Sequence, residues 1–368
     1  MKILFCFGTR PEAIKMAPLY HELQKSNFEV KVCVTAQHRE MLDQVLDFFG
    51  IVPDYDLDLM QPNQTLNRLS ASILFNMDEV LKDAQPDLVL VHGDTSTSSM
   101  VALATFHLGI KVGHVEAGLR TYNKQAPFPE EINRQITSRI VDFHFTPTQA
   151  ATQNLLNEGI RPKYIVETGN TIIDALLWTI DKIGDVNYVH PEIERLKKCI
   201  SLNKKIVLVT GHRRENFGEG FENLCEALLS VSERDDVVII YPVHLNPNVK
   251  ETVYGKLANT SNIYLIPPVS YPAFVWLMQQ SFLIVTDSGG IQEEAPSIGK
   301  PVLVTRTVSE RPEGVKVGFS TLVGTDTQKI VDSIHSILDN FTSFDGLKNP
   351  YGAGDASQKI VTFLLNKD

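Results

Sequence analysis

The sequence predicts an α/β protein built from two Rossmann-like parallel-sheet domains facing a central cleft. Three observations carry this expectation. Short, nearly all-apolar runs alternate with amphipathic stretches of helical spacing, the pattern of strands buried on both faces of a parallel sheet. The alternation restarts after residue 204. The chain also has 368 residues, more than one ordinary core holds. Ligands of open parallel sheets bind beyond the carboxyl ends of the strands, so two such sheets set face to face would share one deep cleft.

In chain order, the strands expected in the first series are 2–7, 30–35, 88–92, 111–115, 143–145 and 164–167. Helical spacing fills the gaps at 14–25, 40–48, 66–84 and 97–107. A helix over 171–183 leads into segment 185–203, which carries a proline and mixed charge. The second series of strands is 205–210, 237–241, 263–266, 282–286 and 301–304. The domain boundary is placed near Gly169, giving an N-terminal domain of 1–169 and a nucleotide-binding domain of 170–354. The tail 355–368 is apolar at helical spacing and is expected to pack back on the first domain.

Composition narrows the ligand. A formal net charge of -10 disfavours general nucleic-acid or anionic-membrane binding, so any basic cluster is local and points to a small anion. The four cysteines lack CxxC spacing, Cys6 and Cys33 read as buried thiols, and no zinc-ligand pattern accompanies the histidines. The apolar run 3–7 is too short for a signal-peptide core, and no run reaches membrane-span length. The expected setting is reducing and cytoplasmic.

The segments after the strands hold the chemistry. At 286–303 a strand end, the break Asp287-Ser288-Gly289-Gly290 and a helix from Ile291 place backbone N–H groups and a positive dipole end together, a site for phosphate. Glu293 and Glu294 follow one turn later; one of them is expected to accept from ribose hydroxyls, the alternative being a solvated acidic face. After the first strand, Arg10 and Lys15 project near a helix start, as phosphate ligands or as an ordinary solvated turn. Asp94 follows the third strand, where helix capping is the commonest job of an aspartate. Glu116 ends a buried strand, an odd place for an unpaired carboxylate, and Glu130 and Glu131 open a helix, which suits its dipole. In the second half, His212-Arg213-Arg214 follows a strand and Arg311 lies near the phosphate loop. A dinucleotide fingerprint, a Walker loop and a GxSxG elbow are all missing.

The motifs GTRPEAIKMAPL, TAQHREMLDQVL, VHGDT, VGHVEAGLRT, PEEINRQ, TGNTIIDAL, VTGHRREN, YPVHLNPNV, TDSGGIQEEAPSIGKPVL and ERPEGV occur in this order between Lys2 and about Gly354. Together they resemble the non-hydrolysing UDP-N-acetylglucosamine 2-epimerases. The resemblance implies a glycosyltransferase-B-like architecture, a homodimer, no metal, no cofactor, and interconversion of UDP-GlcNAc and UDP-ManNAc for surface polysaccharides. It assigns Arg10 and His212 to the nucleotide phosphates and Ser288, Gly289 and Gly290 to the diphosphate cradle. It also assigns Glu294 to the ribose, Phe274 to the uracil side and Arg311 to the sugar nucleotide. Lys15, Asp94, Glu116, Glu130 and His212 then surround the sugar as the catalytic set. Two departures stand out: Val269 replaces a glutamine near the uracil, and Glu40 and Asn63 replace the Gln and Arg of a second, regulatory pocket. A pyranose C2 hydrogen has no neighbouring carbonyl, so elimination of UDP to a 2-acetamidoglucal is the route expected without a nicotinamide. A glycosyltransferase of the same architecture, a non-catalytic sugar-nucleotide sensor and a hydrolysing relative are the competing readings.

Overall fold

The computed structural model describes residues 1–35, 39–61, 63–200, 203–309, 311–344 and 346–367. The chain divides into two units, Met1–Ala175 with Tyr351–Asp368, and Leu176–Pro350.

The first unit is a seven-stranded parallel sheet. Its strands are β1 (Lys2–Phe7), β2 (Glu29–Val34), β3 (Tyr55–Asp56), β4 (Leu88–His92), β5 (Lys111–Val115), β6 (Phe143–Thr146) and β7 (Ile165–Glu167), in the order β3-β2-β1-β4-β5-β6-β7. Helices α1 (Arg10–Gln24), α2 (Arg39–Phe49), α3 (Leu66–Ala84), α4 (Ser96–His107), α5 (Glu130–Ile140) and α6 (Gln149–Asn157) connect them. α7 (Thr171–Gly184) then carries the chain onward.

The second unit contains α8 (Pro191–Cys199), β8 (Lys205–Thr210), α9 (Glu219–Ser232), β9 (Val237–Pro242), α10 (Pro247–Leu257), β10 (Ile263–Ile266) and α11 (Tyr271–Gln280). It continues through β11 (Leu283–Thr286), α12 (Gly289–Glu294), β12 (Val302–Val304), α13 (Pro312–Val317), β13 (Ser320–Leu322) and α14 (Thr327–Asn340). Its six parallel strands run β10-β9-β8-β11-β12-β13.

Local chemistry sets these boundaries. α1 begins at a capping box in which the Thr9 hydroxyl receives the Glu12 N–H and the Glu12 carboxylate receives the Thr9 N–H. Thr65 and Thr95 cap α3 and α4 in the same hydroxyl-to-N–H manner. The apolar side chains of Leu4, Cys6, Val89 and Val91 pack beneath Ile73, Met77 and Leu81 of α3. In the second unit Val207, Val209, Ile239 and Val285 meet Leu224, Leu228 and Val231 of α9 and Ile330 and Ile334 of α14. The strands and helices given ranges from the sequence appear within four residues of those ends. β3 and β13 are two and three residues long, too short to show a period, and α8 lies in the mixed-charge segment 185–203, for which no element was expected.

The tail forms α15 (Ala356–Leu365), which packs on α1, and its Phe363 ring stands 5.3 Å from Phe143 and 5.7 Å from Phe145. Just before it, Gly352 lies against Gly169. A Cβ on Gly169 would stand 3.2 Å from the Gly352 Cα and 3.3 Å from the Tyr351 oxygen, and Gly169 holds φ +89°. Both the backbone conformation and the contact exclude a side chain. Gly169→Ala should therefore destabilise the fold by about 1–3 kcal/mol, read as a lower urea midpoint with an unchanged slope.

Candidate active site

Strand order reverses where β1 lies beside β4 in the first sheet and β8 beside β11 in the second. Ligands of open α/β sheets bind at such points, where the connections diverge and leave room at the carboxyl ends. Arg10, Lys15 and Asp94 follow β1 and β4, and His212, Ser288, Gly289 and Gly290 follow β8 and β11, whereas Glu116, Glu130, Phe274 and Arg311 come from the connections after β5, β10 and β12.

In the first unit, Glu12 joins two of the loops. Its buried carboxylate accepts the N–H groups of Gly8 (3.0 Å) and Thr9 (2.8 Å) and the hydroxyls of Thr9 (2.8 Å) and Thr95 (2.7 Å). Burial pushes its pKa up to about 7 against these four donors. The loop that carries Arg10 into α1 is thereby tied to the loop that carries Asp94 into α4.

Asp94 does not cap α4; Thr95 does. Its Oδ2 instead accepts from Arg134 Nε (2.9 Å) and Nη2 (2.7 Å), while its carbonyl accepts from Asn133 Nδ2 at 2.9 Å. Glu131, fully buried on the same helix, accepts the N–H groups of Thr121 (2.9 Å) and Tyr122 (3.0 Å), Gln135 Nε2 (2.8 Å) and Arg134 Nη1 (3.2 Å). Burial opposes its ionisation, but these donors outweigh it and hold Glu131 below the usual glutamate range. Glu130, its neighbour, has a buried Oε2 with no hydrogen-bond partner among the described residues.

Glu116 follows directly on β5 with φ +63°, a left-handed conformation that costs a non-glycine residue about 1–2 kcal/mol. Its Oε2 pairs with Lys15 Nζ and accepts Asn170 Nδ2 at 2.7 Å. The two charged side chains are 12% and 8% exposed, so the pair is largely shielded from solvent. Two residues on, a Cβ on Gly118 would stand 2.4 Å from the Ala151 oxygen, so only glycine lets the chain turn away here.

Three buried histidines lie on adjacent strands around this group: His92, His114 and His144. Burial depresses them to about 4, about 4 and about 3, with His114 Nε2 2.7 Å from the Gly93 carbonyl. They are neutral at pH 7.

In the second unit, Asp287 is the organising carboxylate. It is fully buried and its Oδ2 accepts the N–H groups of His212 (2.9 Å) and Arg213 (2.8 Å), with His212 Nδ1 3.3 Å from Oδ1. Burial works against its charge, but the His212 ring and these N–H groups hold it below the usual aspartate range. The His212 ring stacks on His244 at 5.7 Å. Ser288 forms the N-cap of α12, and Gly289 lies 3.8 Å, measured from an added Cβ, from the Arg311 guanidinium. Arg311 Nε donates to the buried Glu293, so this carboxylate positions a cation. Glu294 accepts the Tyr271 hydroxyl at 3.0 Å, and Tyr271 is one helical turn from Phe274 on α11.

Several expectations change here. Glu293 and Glu294 are buried and partnered, not a solvated acidic face. The helix from Gly289 is α-helical only to Glu294 and continues as a 3-10 turn over Ala295–Ile298, where Pro296 supplies no N–H. Val269 is buried, so its side chain is turned into the unit. Asn63 is exposed with φ +58°, and the Glu40 side chain lies outside the described residues. Glu12, Glu131, Arg134, Asn170, Tyr271, Asp287 and Glu293 were not singled out from the sequence for these roles. A signal existed for Glu12, the Thr-x-x-Glu spacing of a capping box, and for Asp287, an acid at a strand break.

Two parallel-sheet α/β domains of this kind define a glycosyltransferase-B-like enzyme architecture. The family model described as UDP-N-acetylglucosamine 2-epimerase matches residues 21–365. The UDP-N-acetylglucosamine 2-epimerase of Escherichia coli K12 is 52% identical over 371 residues, covering 100% of this chain and 99% of that protein. The crystal structure of the Neisseria meningitidis UDP-GlcNAc 2-epimerase bound to UDP-GlcNAc superposes with a TM-score of 0.91 at 48% identity, covering 100% of both chains. That of the Methanocaldococcus jannaschii enzyme, in complex with UDP-GlcNAc and UDP, gives 0.84 at 34% identity, again over 100% of both chains. The chain belongs to the UDP-N-acetylglucosamine 2-epimerase family. Among the described residues no helix is long and apolar enough to cross a membrane.

The buried histidines give a signed pH dependence. Their folded values of about 4, about 4 and about 3 lie below the ordinary 6.5, so between these limits the unfolded chain binds more protons than the folded one. Their contribution to stability is present above pH 6.5 and is lost as pH falls toward 4. Glu12, raised from 4.5 to about 7, acts in the opposite sense, one group against three. The urea midpoint should fall between pH 6.5 and 4.5, and His144→Leu should make that fall shallower.

Proposed function

We propose that the protein interconverts UDP-N-acetylglucosamine and UDP-N-acetylmannosamine in the cytoplasm, without metal or cofactor, by eliminating and re-adding UDP. The C1–O bond breaks with its electron pair leaving on UDP, while a carboxylate takes the C2 proton, giving a 2-acetamidoglucal. Return of a proton to the opposite face of C2 and addition of UDP at C1 complete the inversion. The observation that carries this reading is the set of carboxylates at the β-strand ends of the first unit. Glu116 is fixed by Lys15 and Asn170, Asp94 by Arg134, and Glu130 has a buried oxygen that no described group meets.

The second unit holds the nucleotide: Ser288, Gly289 and Gly290 cradle the diphosphate with His212, Arg311 stands over the same turn, Glu294 receives the ribose and Phe274 lies along the uracil. Arg10 adds a phosphate contact. The cations stabilise the leaving UDP, and the carboxylates do acid–base work on the sugar. The product feeds surface polysaccharide synthesis.

The reaction in deuterated water tests the mechanism: deuterium should enter C2 of both epimers without added NAD, with some glucal and UDP released. Complete retention of the C2 hydrogen would falsify elimination. Glu116→Gln and Glu130→Gln should each lower turnover about 10²-fold or more, whereas Arg10→Ala should chiefly weaken UDP binding.

The enzyme works as a homodimer. Phe75 on α3 and Phe106 on α4 are 73% and 59% exposed on two helices that pack side by side, apolar area that a second copy would cover. Light scattering should show a dimer that the double substitution Phe75→Glu/Phe106→Glu converts to monomer.

A further inference from the structure

Asn170, one of the two groups that hold Glu116, also lies at a junction of the chain that the proposed chemistry does not use. It follows Gly169, is buried, and its directed contacts reach three different elements of the unit. Its backbone N–H donates to the Tyr351 carbonyl at 2.7 Å, its Oδ1 accepts the Ile172 N–H at 3.1 Å, and its Nδ2 donates to Glu116 Oε2 at 2.7 Å. The first contact ties it to the chain where it re-enters the N-terminal unit at Tyr351. The second caps α7, the helix on which the chain leaves that unit after Ala175. The third reaches the carboxylate at the end of β5. Gly169 and Gly352 stand with their backbones in contact beside it, so the two crossings and the amide form one packed element.

We propose that Asn170 is a positioning residue for Glu116, and that through it the setting of this carboxylate depends on the conformation of the two chain crossings. The proposal rests on the acid–base reading of Glu116 given above. A carboxylate in a left-handed turn has a short tether and no helix or strand ladder to aim it. Two donors on the same oxygen, Lys15 Nζ from α1 and the Asn170 amide, hold it from different elements. The lysine supplies charge on a flexible stem, whereas the amide supplies direction from a side chain whose other end is pinned to Ile172. A shift of the backbone at 169–170 or 351–352 changes that donor's distance from Oε2, and with it the stability of the carboxylate's charged form. Among the described residues, the other titratable groups near Glu116 include His92 on β4 and His114 on β5, both neutral by burial.

The test separates this role from helix capping. Asn170→Asp keeps an oxygen for the Ile172 N–H and the same backbone, and replaces the donor toward Glu116 by a second carboxyl oxygen. Asn170→Ser also keeps a capping oxygen, adds no charge and is too short to reach Glu116. Full-length enzyme of each variant, together with Glu116→Gln, is assayed for UDP affinity, thermal midpoint and the pH profile of kcat. Both Asn170 variants should bind UDP within about twofold of wild type while kcat falls about 10-fold or more. The acidic limb of kcat should move up by about one pH unit in Asn170→Asp, because two carboxyls then share the site. In the Glu116→Gln background, Asn170→Asp should change kcat by less than about threefold, the non-additivity of residues acting through one group. Wild-type kcat and an unmoved acidic limb in both variants, alongside a large loss in Glu116→Gln, would overturn the proposal alone. Wild-type turnover in Glu116→Gln would remove the acid–base reading and the proposal with it.

Discussion

Withdrawing a carboxylate from water costs several kcal/mol unless donors meet it, and this constraint shapes the strand-end loops of both units. Glu12 is met by four donors from two loops, Glu131 by two backbone N–H groups and two side chains, and Asp287 by two N–H groups and an imidazole. Each buried acid collects loop backbone that would otherwise be set by solvent. Glu12 fixes the entry to α1, Glu131 the 121–122 turn, and Asp287 the 212–213 turn. None needs to touch a ligand to act on one, since removing it leaves several donors unmet at a cost of about 1–3 kcal/mol each.

The two units use the same topology for opposite electrostatics. At the first switch point the side chains brought to the strand ends are mainly acids held by Arg134 and Lys15. At the second, the acids Asp287 and Glu293 are spent on His212 and Arg311, leaving a glycine turn beside a guanidinium, an imidazole and N–H groups. An acidic chain in this way gathers bases and N–H groups at one turn by burying acids behind them. Net charge alone does not reveal this, because it counts Asp287 and Glu293 against anion binding when their placement favours it.

How much of this is legible in the sequence follows from the range of the interactions. Strand runs such as Leu88–His92 and Lys205–Thr210 show because burial on both faces leaves only apolar residues, and their bounds match the structure. The Ser288-Gly289-Gly290 turn shows because glycine after a strand has few other uses. Glu116 was visible as an acid in an apolar setting, but not the left-handed backbone that aims it. Arg134 and Asn170 were invisible in their roles, since their partners Asp94 and Glu116 are 40 and 54 positions away and only the sheet order brings them together. β3 and β13 escape because their two and three residues cannot establish a period.

The three carboxylates of the first unit are not equivalent under the elimination proposed above. Asp94 gives one oxygen to two nitrogens of Arg134, so its lone pairs there are directed at a guanidinium that never loses its proton. Such an acid can shape charge in the site but is poorly placed to carry a proton back and forth. Glu116 and Glu130 differ from it and from each other. Among the described residues, Glu116 is held by a cation and an amide on a single oxygen, which fixes its direction. Glu130 has the opposite condition, a buried oxygen that no described donor satisfies. A buried polar atom without a partner costs free energy, and a bound group that completes it recovers that cost. Inversion at C2 needs one group to remove a proton from one face and another to return it from the other. A rigidly aimed carboxylate and an unsatisfied one, on separate elements of the same unit, supply that pair with fewer assumptions than any pairing that includes Asp94.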